Sequence, residues 1–375
     1  SSGHLIYLNQ GTLFAVRFDL KRLEVVGPPV PALDDVAING SAGVLALAPD
    51  GTLLYESGQI SKVDRSLDWM TRDGRTSAVS AKKVNWSNPR FSPDGKRLAI
   101  QIRDADQEDL WVYDLASDNR TQLTFDPAFD GYPVWTPDGK RIVFRSDRDK
   151  AKGANLYWMN ADGTGEPTRL TESPNSQVPM SWHPGGKFLA FFETRPGNSY
   201  DLMILPMEGD AVSELKPGTP TVFLSTKAGE AIPMFSPDGH WIAYTSDELR
   251  SGSYDVLVRP FPQKAGGPRR VSTEGGWWAF WSTTSHELFF VNANKVMGAP
   301  YSVAGDVFTS GPPQPWSPIG FQSAPLATVS PYALHPDGKR VLLAAAETQG
   351  AAEARDKVVF YSGFGEYLKK IAPGK

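Results

Sequence analysis

The chain has 375 residues, of which 40% are hydrophobic, a formal net charge of −4 and no cysteine. The lack of cysteine excludes disulfides, thiol nucleophiles and cysteine-ligated zinc. The weakly acidic charge excludes a general nucleic-acid binder, which needs concentrated lysine and arginine. No apolar run approaches the roughly 20 residues that span a bilayer, so we expect no membrane insertion by this segment.

The first elements in chain order are two predicted strands, residues 4–8 (HLIYL) and 12–16 (TLFAV). They match residues 287–291 (ELFFV) and 295–299 (KVMGA), and a Gly-Pro-Pro sequence follows each pair. The match indicates that the chain begins partway through a repeating unit. Because open sheet edges are a liability, we expect residues 4–40 to complete the sheet that holds the last repeat.

A turn sequence then recurs along the chain. Its clear copies are residues 91–100 (FSPDGKRLAI), 135–144 (WTPDGKRIVF), 182–191 (WHPGGKFLAF), 235–244 (FSPDGHWIAY) and 334–343 (LHPDGKRVLL), with weaker copies at 47–55 and 281–290. In Pro-Asp-Gly the proline fixes φ, the aspartate bonds back to the backbone and the glycine accepts a positive φ. The flanking residues alternate in polarity, so each turn joins two strands. A third strand follows, as in residues 109–114 (DLWVYD), and a fourth leads to a Leu-Thr step, as at 123–124.

The repeat spacing of roughly 40 to 53 residues suits one four-stranded antiparallel blade per copy. The sequence therefore predicts an all-β fold with a single β-propeller domain over residues 1–375 and a tail at 363–375. The repeats are predicted to start near residues 42, 86, 130, 177, 230, 276 and 329. This gives seven blades, with six and eight left open as alternatives.

The repeat resembles that of the TolB-like propellers of periplasmic TolB and of many bacterial sensor and peptidase proteins. Residues 235–248 and 258–262, with 4–31 and 361–370, also resemble the C-terminal propeller region of bacterial membrane-anchored Ser/Thr protein kinases. The resemblance implies a sensor or interaction module in a periplasmic or other extracytoplasmic location. The kinase motifs themselves are absent from this sequence.

The familiar catalytic motifs are also absent. The sequence has no Gly-x-Ser-x-Gly, no Walker loop and no Gly-x-Gly-x-x-Gly. His183 and His335 occupy the position before the turn proline that Ser or Thr holds in other copies, so we expect each to bond to the turn backbone.

One row of candidate ligands lies seven residues before the turn proline. In three successive repeats this position holds Asp130, Gln177 and Glu230. We expect these residues to start the innermost strands, at the mouth of the central channel. Converging oxygen ligands suit Ca²⁺ or another divalent cation, although a hydrated polar funnel without metal is the alternative.

A second row of candidates follows the second strand of each repeat. It contributes Arg148, Arg195 and Glu248, which are suited to bind a peptide or carboxylated ligand unless they form an exposed rim of ion pairs. Trp277 and Trp278 lie near the same mouth and are candidates to stack on a sugar or apolar group.

Two functional hypotheses follow from these rows. The first is a non-catalytic module that binds a protein, peptide or small molecule at the channel mouth. The second is a metal-dependent hydrolase or lyase that acts on esters, lactones or phosphoesters with Asp130, Gln177 and Glu230 as ligands. A pure scaffold without a small-molecule site is a third option.

Overall fold

The chain folds into two compact units in a computed structural model. A terminal unit comprises Ser1–Val63 and Thr348–Lys375, and a propeller unit comprises Asp64–Glu347. The described residues are 3–9, 12–34, 36, 38–39, 42–43, 45–48, 50–56, 66–80, 82–104, 107–149, 152–194, 200–209, 215–250, 252–264, 266–320, 330, 332–345 and 358–372. This division differs from the single domain that the sequence indicated for residues 1–375.

The terminal unit begins with seven strands. They are β1 (His4–Asn9), β2 (Thr12–Asp19), β3 (Glu24–Leu33), β4 (Ile38–Asn39), β5 (Ala42–Gly43), β6 (Leu45–Leu47) and β7 (Leu53–Glu56). Strands β1, β2 and β3 form one antiparallel sheet, and β4 pairs with β5.

The propeller unit is built entirely from antiparallel strands in its described residues. They are β8 (Ser66–Thr71), β9 (Thr76–Ala78), β10 (Trp86–Phe91), β11 (Arg97–Asp104), β12 (Gln107–Asp114), β13 (Asn119–Gln122), β14 (Asp130–Trp135), β15 (Arg141–Ser146), β16 (Asn155–Asn160), β17 (Thr168–Arg169), β18 (Gln177–Trp182), β19 (Phe188–Glu193), β20 (Asp201–Glu208), β21 (Lys216–Pro217), β22 (Thr221–Leu224), β23 (Glu230–Phe235), β24 (Trp241–Ser246), β25 (Asp255–Pro260), β26 (Arg269–Arg270), β27 (Trp277–Trp281), β28 (Glu287–Asn292), β29 (Lys295–Ala304), β30 (Val307–Ser310), β31 (Gln314–Pro315), β32 (Tyr332–Leu334) and β33 (Arg340–Ala345).

These strands form six sheets among the described residues. Sheets I to V follow the chain as β10–β13, β14–β17, β18–β22, β23–β26 and β27–β31, and sheet VI has the order β32-β33-β8-β9. The inner strands β10, β14, β18, β23 and β27 contact one another in sequence, and β10 also contacts β32. The hydroxyl of Tyr332 in sheet VI donates to the backbone oxygen of Trp278 in sheet V at 2.6 Å. The β-propeller is therefore present, and its ring is closed.

The ring closes by a different pairing from the one predicted. Strand β33 pairs with β8 in an antiparallel register from Arg340↔Thr71 to Ala345↔Ser66, and neither strand is at an end of the chain. The strand that completes the closing sheet is thus β8, whereas residues 4–40 were expected to complete it. The repeat near residue 42 supplies β6 and β7 to the terminal unit. As a result six sheets surround the ring in the part of the chain that the structure describes, and the blade number stays a prediction.

A bulge recurs in the inner strands. The register shifts within β10, β14, β18, β23 and β27. At the bulge the backbone of Asn88, Tyr132, Ile232 and Trp278 has φ between 50° and 58°. All four residues lie five positions before the turn proline or its equivalent. A bulge bends the strand and re-aims the side chains that follow it, so the two ends of each inner strand face different surroundings.

The turns have the chemistry that the repeat predicts. In the first turn, the backbone N–H of Arg97 donates to Oγ of Ser92 at 2.9 Å, and that hydroxyl donates to Asp94 at 2.6 Å. His183 and His335 replace the hydroxyl as expected. Nδ1 of His183 accepts from the backbone of Gly185 at 3.0 Å, and Nδ1 of His335 accepts from the backbone of Asp337 at 3.1 Å.

The remaining elements of the terminal unit are β34 (Val358–Tyr361) and a helix, α1 (Phe364–Ile371). Strand β34 pairs with β7, which pairs with β6. Phe364 and Leu368 of the helix are buried with Leu13 and Leu53 in one apolar cluster. No helix among the described residues has the length and apolar character that a bilayer crossing needs.

Candidate functional site

Asp130, Gln177 and Glu230 are the first residues of β14, β18 and β23, so their predicted place at the start of the inner strands is confirmed. Their surroundings are not those of a hydrated funnel. Their relative exposures are 0%, 2% and 0%. Each side chain therefore depends on protein partners for its hydrogen bonds, because a buried polar group without a partner is costly.

Asp130 is held by an arginine of its own sheet. Nη2 of Arg148 lies 3.1 and 3.0 Å from the two carboxylate oxygens, and Nε of Arg148 donates to Oγ of Ser146 at 2.8 Å. The guanidinium also lies over the ring of Tyr157, 4.9 Å from its centroid. Burial nevertheless raises the pKa of Asp130 above its ordinary value, since the ion pair and hydrogen bonds only partly oppose the desolvation. Arg148 is thus a partner of Asp130 here.

Gln177 is bonded at both ends of its amide. Its Nε2 donates to Glu193 at 2.7 Å, and its oxygen accepts from the hydroxyl of Thr171. Glu193 also accepts from Nδ2 of Asn175 at 3.1 Å. The amide therefore joins the first two strands of sheet III with the loop that precedes them. Arg195 lies outside the described residues.

Glu230 is bonded mainly by a loop residue. The hydroxyl and the backbone N–H of Thr226 both donate to its carboxylate. Burial raises the pKa of Glu230, and the nearby charges of Asp201 and Glu248 raise it further. Glu248 itself accepts from the Tyr244 hydroxyl at 2.5 Å and from Nη2 of Arg259 at 3.0 Å. Its predicted role in ligand binding stays a prediction.

The two tryptophans differ in accessibility. Trp277 is half-buried, and its ring centroid lies 4.2 Å from that of Tyr254. Trp278 is 1% exposed and belongs to the large apolar core of the unit, so it has no exposed ring face for a ligand. Successive side chains of a strand point to opposite faces of the sheet, and Trp278 also lies at the bulge, with φ 56°.

The metal hypothesis receives no direct test from this geometry. No hydrogen bond joins Asp130, Gln177 and Glu230 to one another, and no group of three or more His, Asp or Glu side chains is gathered for a metal in the described part of the chain. A divalent cation at Asp130 would have to replace the ion pair with Arg148. The metal site therefore stays a prediction.

The sequence did not indicate the cavity that the structure shows at the opposite end of the inner strands. Its volume is about 450 Å³, and all six sheets line it with residues just before and within the turns. The position three residues before the turn proline contributes one side chain from each sheet: Arg90, Val134, Ser181, Met234, Phe280 and Ala333. Aromatic rings from the adjacent position add to a wall that is largely apolar. This composition is typical of a ligand pocket.

Hydrogen bonds between sheets hold the wall of this cavity. Nε1 of Trp135 donates to the backbone oxygen of Arg90 at 2.9 Å, and Nε1 of Trp281 donates to that of Met234 at 2.9 Å. The hydroxyl of Ser181 donates to the next sheet at Pro233, 3.0 Å away. Neighbouring sheets are therefore joined directly at the cavity, which makes it a preformed feature.

Comparison with known proteins agrees with this architecture. Residues 65–220 match the family model described as the TolB beta propeller domain. The structure described as putative TolB from Agrobacterium tumefaciens has a TM-score of 0.54 and 18% sequence identity. The alignment covers 75% of this chain and 97% of that one. At this identity the likeness shows the fold.

Two curated relatives match in sequence over a shorter span. An uncharacterized peptidase, YuxL of Bacillus subtilis, is 28% identical over 226 residues, which are 50% of this chain and 33% of the peptidase. The Tol-Pal system protein TolB of Wolinella succinogenes is 23% identical over 172 residues, which are 44% of this chain and 38% of that protein. The matches thus span 33% of the Bacillus protein and 38% of the Wolinella protein. Residues 65–220 of this chain are therefore similar to the TolB beta propeller domain.

Proposed function

We propose that this chain is a non-catalytic binding module that takes a protein, peptide or small-molecule ligand in the cavity at the turn end of its propeller. The cavity itself is the observation that carries the proposal. Its volume of about 450 Å³ lies within the range of roughly 300–1,000 Å³ of ligand sites. Six sheets converge on it, and bonds between sheets hold its wall, so little ordering is needed on binding.

The same proposal extends to location and context. The resemblance of residues 235–248 and 258–262 to propellers of membrane-anchored Ser/Thr kinases supports a sensor role outside the cytoplasmic membrane. The match to the Wolinella protein of the Tol-Pal system supports protein binding. Fractionation of the producing bacterium with an antibody to the chain tests the location, and recovery only with cytoplasmic proteins would contradict it.

Selection of peptides on the intact chain tests the binding role. A phage-displayed library of random peptides is selected on the purified protein, and the enriched peptides are measured against Met234→Trp, whose larger side chain fills the cavity. Leu249→Trp is the matched control, because Leu249 is 48% exposed and does not line the cavity. We expect the peptides to lose binding to Met234→Trp alone. No enrichment, or equal binding to both variants, would refute the proposal.

A further inference from the structure

Arg90 places a positive charge in this cavity, and no described residue supplies a negative partner for it. Its side chain is half-buried and lines the wall at the end of β10. Nη1 donates to the neighbouring backbone oxygen of Pro89 at 3.0 Å. Neither Nε nor Nη2 has an acceptor among the described residues, and Nε is fully buried. The lining residues that the structure describes include no aspartate or glutamate.

The aromatic rings around Arg90 offset only part of the free-energy cost of desolvating its charge. The guanidinium carbon lies 5.0 Å from the ring centroid of Phe280 and 5.8 Å from that of Trp278. A cation–π attraction is weaker than the penalty for taking an ion out of water. Burial accordingly lowers the pKa of Arg90 to about 10, a value at which the side chain remains charged at neutral pH. The free protein therefore holds an incompletely solvated cation.

We propose that Arg90 receives the carboxylate of a ligand whose body is apolar or aromatic. The proposal rests on the proposed function and names the ligand class of the same cavity. An incoming carboxylate would accept from the guanidinium, and such charge-assisted hydrogen bonds are among the stronger ones. The apolar wall would enclose the rest of the ligand.

The surroundings of Arg90 favour a single carboxylate over a phosphate. Arg90 is the only arginine or lysine among the described residues that line the cavity, so one positive charge meets one negative charge. The planar guanidinium also matches a planar carboxylate. Both the C-terminus of an apolar peptide and a small aryl carboxylate have this chemistry.

Matched pairs of probes test the charge requirement. The first pair is 3-phenylpropionate and its amide, observed by ligand NMR, and the second is an acetylated Leu-Phe dipeptide with a free or an amidated C-terminus. We expect each acid to bind about 10-fold to 100-fold more tightly than its amide, the effect of one charge-assisted contact. Binding of the dipeptide acid alone assigns the site to peptide ends, and binding of both acids assigns it to carboxylates in general.

Variants of the receptor complete the test. Arg90→Met should remove the preference for the acid, and Arg90→Lys should keep part of it because it keeps the charge. Met234→Trp should abolish binding of acid and amide alike. If acids and amides bind equally and are excluded only by Met234→Trp, the role of Arg90 is wrong and the binding function stands. If no probe binds the cavity, the carboxylate proposal is overturned, and the peptide selection decides the binding function.

The stability of the ligand-free protein supplies an independent readout. Because the charge of Arg90 is only partly compensated, Arg90→Met should leave the melting temperature unchanged or raise it. A clear fall would mean that Arg90 serves the packing of the sheets, and it would overturn the receptor role.

Discussion

Asn88 joins sheet I to the sheet that closes the ring, and its replacement tests how the closure is stabilised. It is 2% exposed. Its Nδ2 donates to Gln101 at 3.1 Å, and its Oδ1 accepts from the backbone N–H of Ser330 at 2.8 Å. Ser330 is fully buried just before β32, so no solvent can replace this acceptor. Asn88 also has φ 50°, a left-handed conformation that asparagine tolerates better than alanine.

Two substitutions separate the bond from the backbone conformation. Asn88→Gly keeps the conformation and loses both hydrogen bonds, which should cost about 1–3 kcal/mol because a buried N–H loses its acceptor. Asn88→Ala adds the steric cost of a left-handed alanine, roughly 1–2 kcal/mol. We therefore expect the alanine variant to be less stable than the glycine variant, and both to be less stable than the parent chain.

Urea unfolding followed by tryptophan fluorescence measures these differences. All 11 tryptophans lie between Trp69 and Trp316, within the propeller unit, so the signal reports that unit alone. Ala293→Gly is the matched control, since Ala293 has φ 48° at an exposed turn and no side-chain bond to lose. It should be stabilised by up to about 1–2 kcal/mol. If Asn88→Gly is as stable as the parent chain, the bond to Ser330 does not hold the ring.

Three further predictions concern the cavity wall and the buried carboxyl groups. Trp281→Phe leaves the backbone oxygen of Met234 without its donor and should destabilise the propeller by about 1–3 kcal/mol in the same urea assay; an unchanged midpoint would contradict this. The raised pKa of Glu230 means that the folded state favours its protonated form. The parent chain therefore loses stability as the pH rises through the folded pKa and this carboxyl group ionises. The stability of Glu230→Gln relative to the parent chain should therefore increase as the pH rises from 4.5 to 8. If the relative stability of the variant instead increases as the pH falls, the raised pKa of Glu230 is wrong. Because Asp130 already pairs with an arginine, EDTA should leave the melting temperature unchanged, whereas a fall together with stoichiometric metal would support the hydrolase or lyase alternative.

The repeat sequence predicted the local structure well, because turn chemistry and strand alternation act over a few residues. The Pro-Asp-Gly turns and the starts of the inner strands at Asp130, Gln177 and Glu230 agree with the structure. The choice of partner for the closing sheet depends instead on contacts between distant residues. Both β2 and β8 are strands that could pair with the last repeat. The residues within each strand do not determine which of the two does so.

The burial of the side chains at the start of the inner strands could not be predicted from strand alternation. In a strand whose side chains alternate strictly, the face on which the first residue lies determines the face of every later residue. Here a bulge interrupts the period in five inner strands. Asp130 at the start of β14 is bonded to Arg148 of its own sheet, whereas Val134, four positions later, lines the cavity, although a strict period of two would place both on one face. The row seven residues before the turn is therefore buried, and its role in ligand binding stays a prediction.

Comparing the residues at one position of the repeats would have identified Arg90 as a candidate ligand-binding residue. Three residues before the turn proline, the other five sheets have Val134, Ser181, Met234, Phe280 and Ala333. These are apolar or small side chains, as a packed wall requires. A single arginine in that row departs from what packing favours, and the described residues that line the cavity include no acid to compensate it. In a repeat fold, where each copy meets the same packing demands, such a departure in one copy is better explained by a ligand than by the fold, and the acid and amide probes decide this at Arg90.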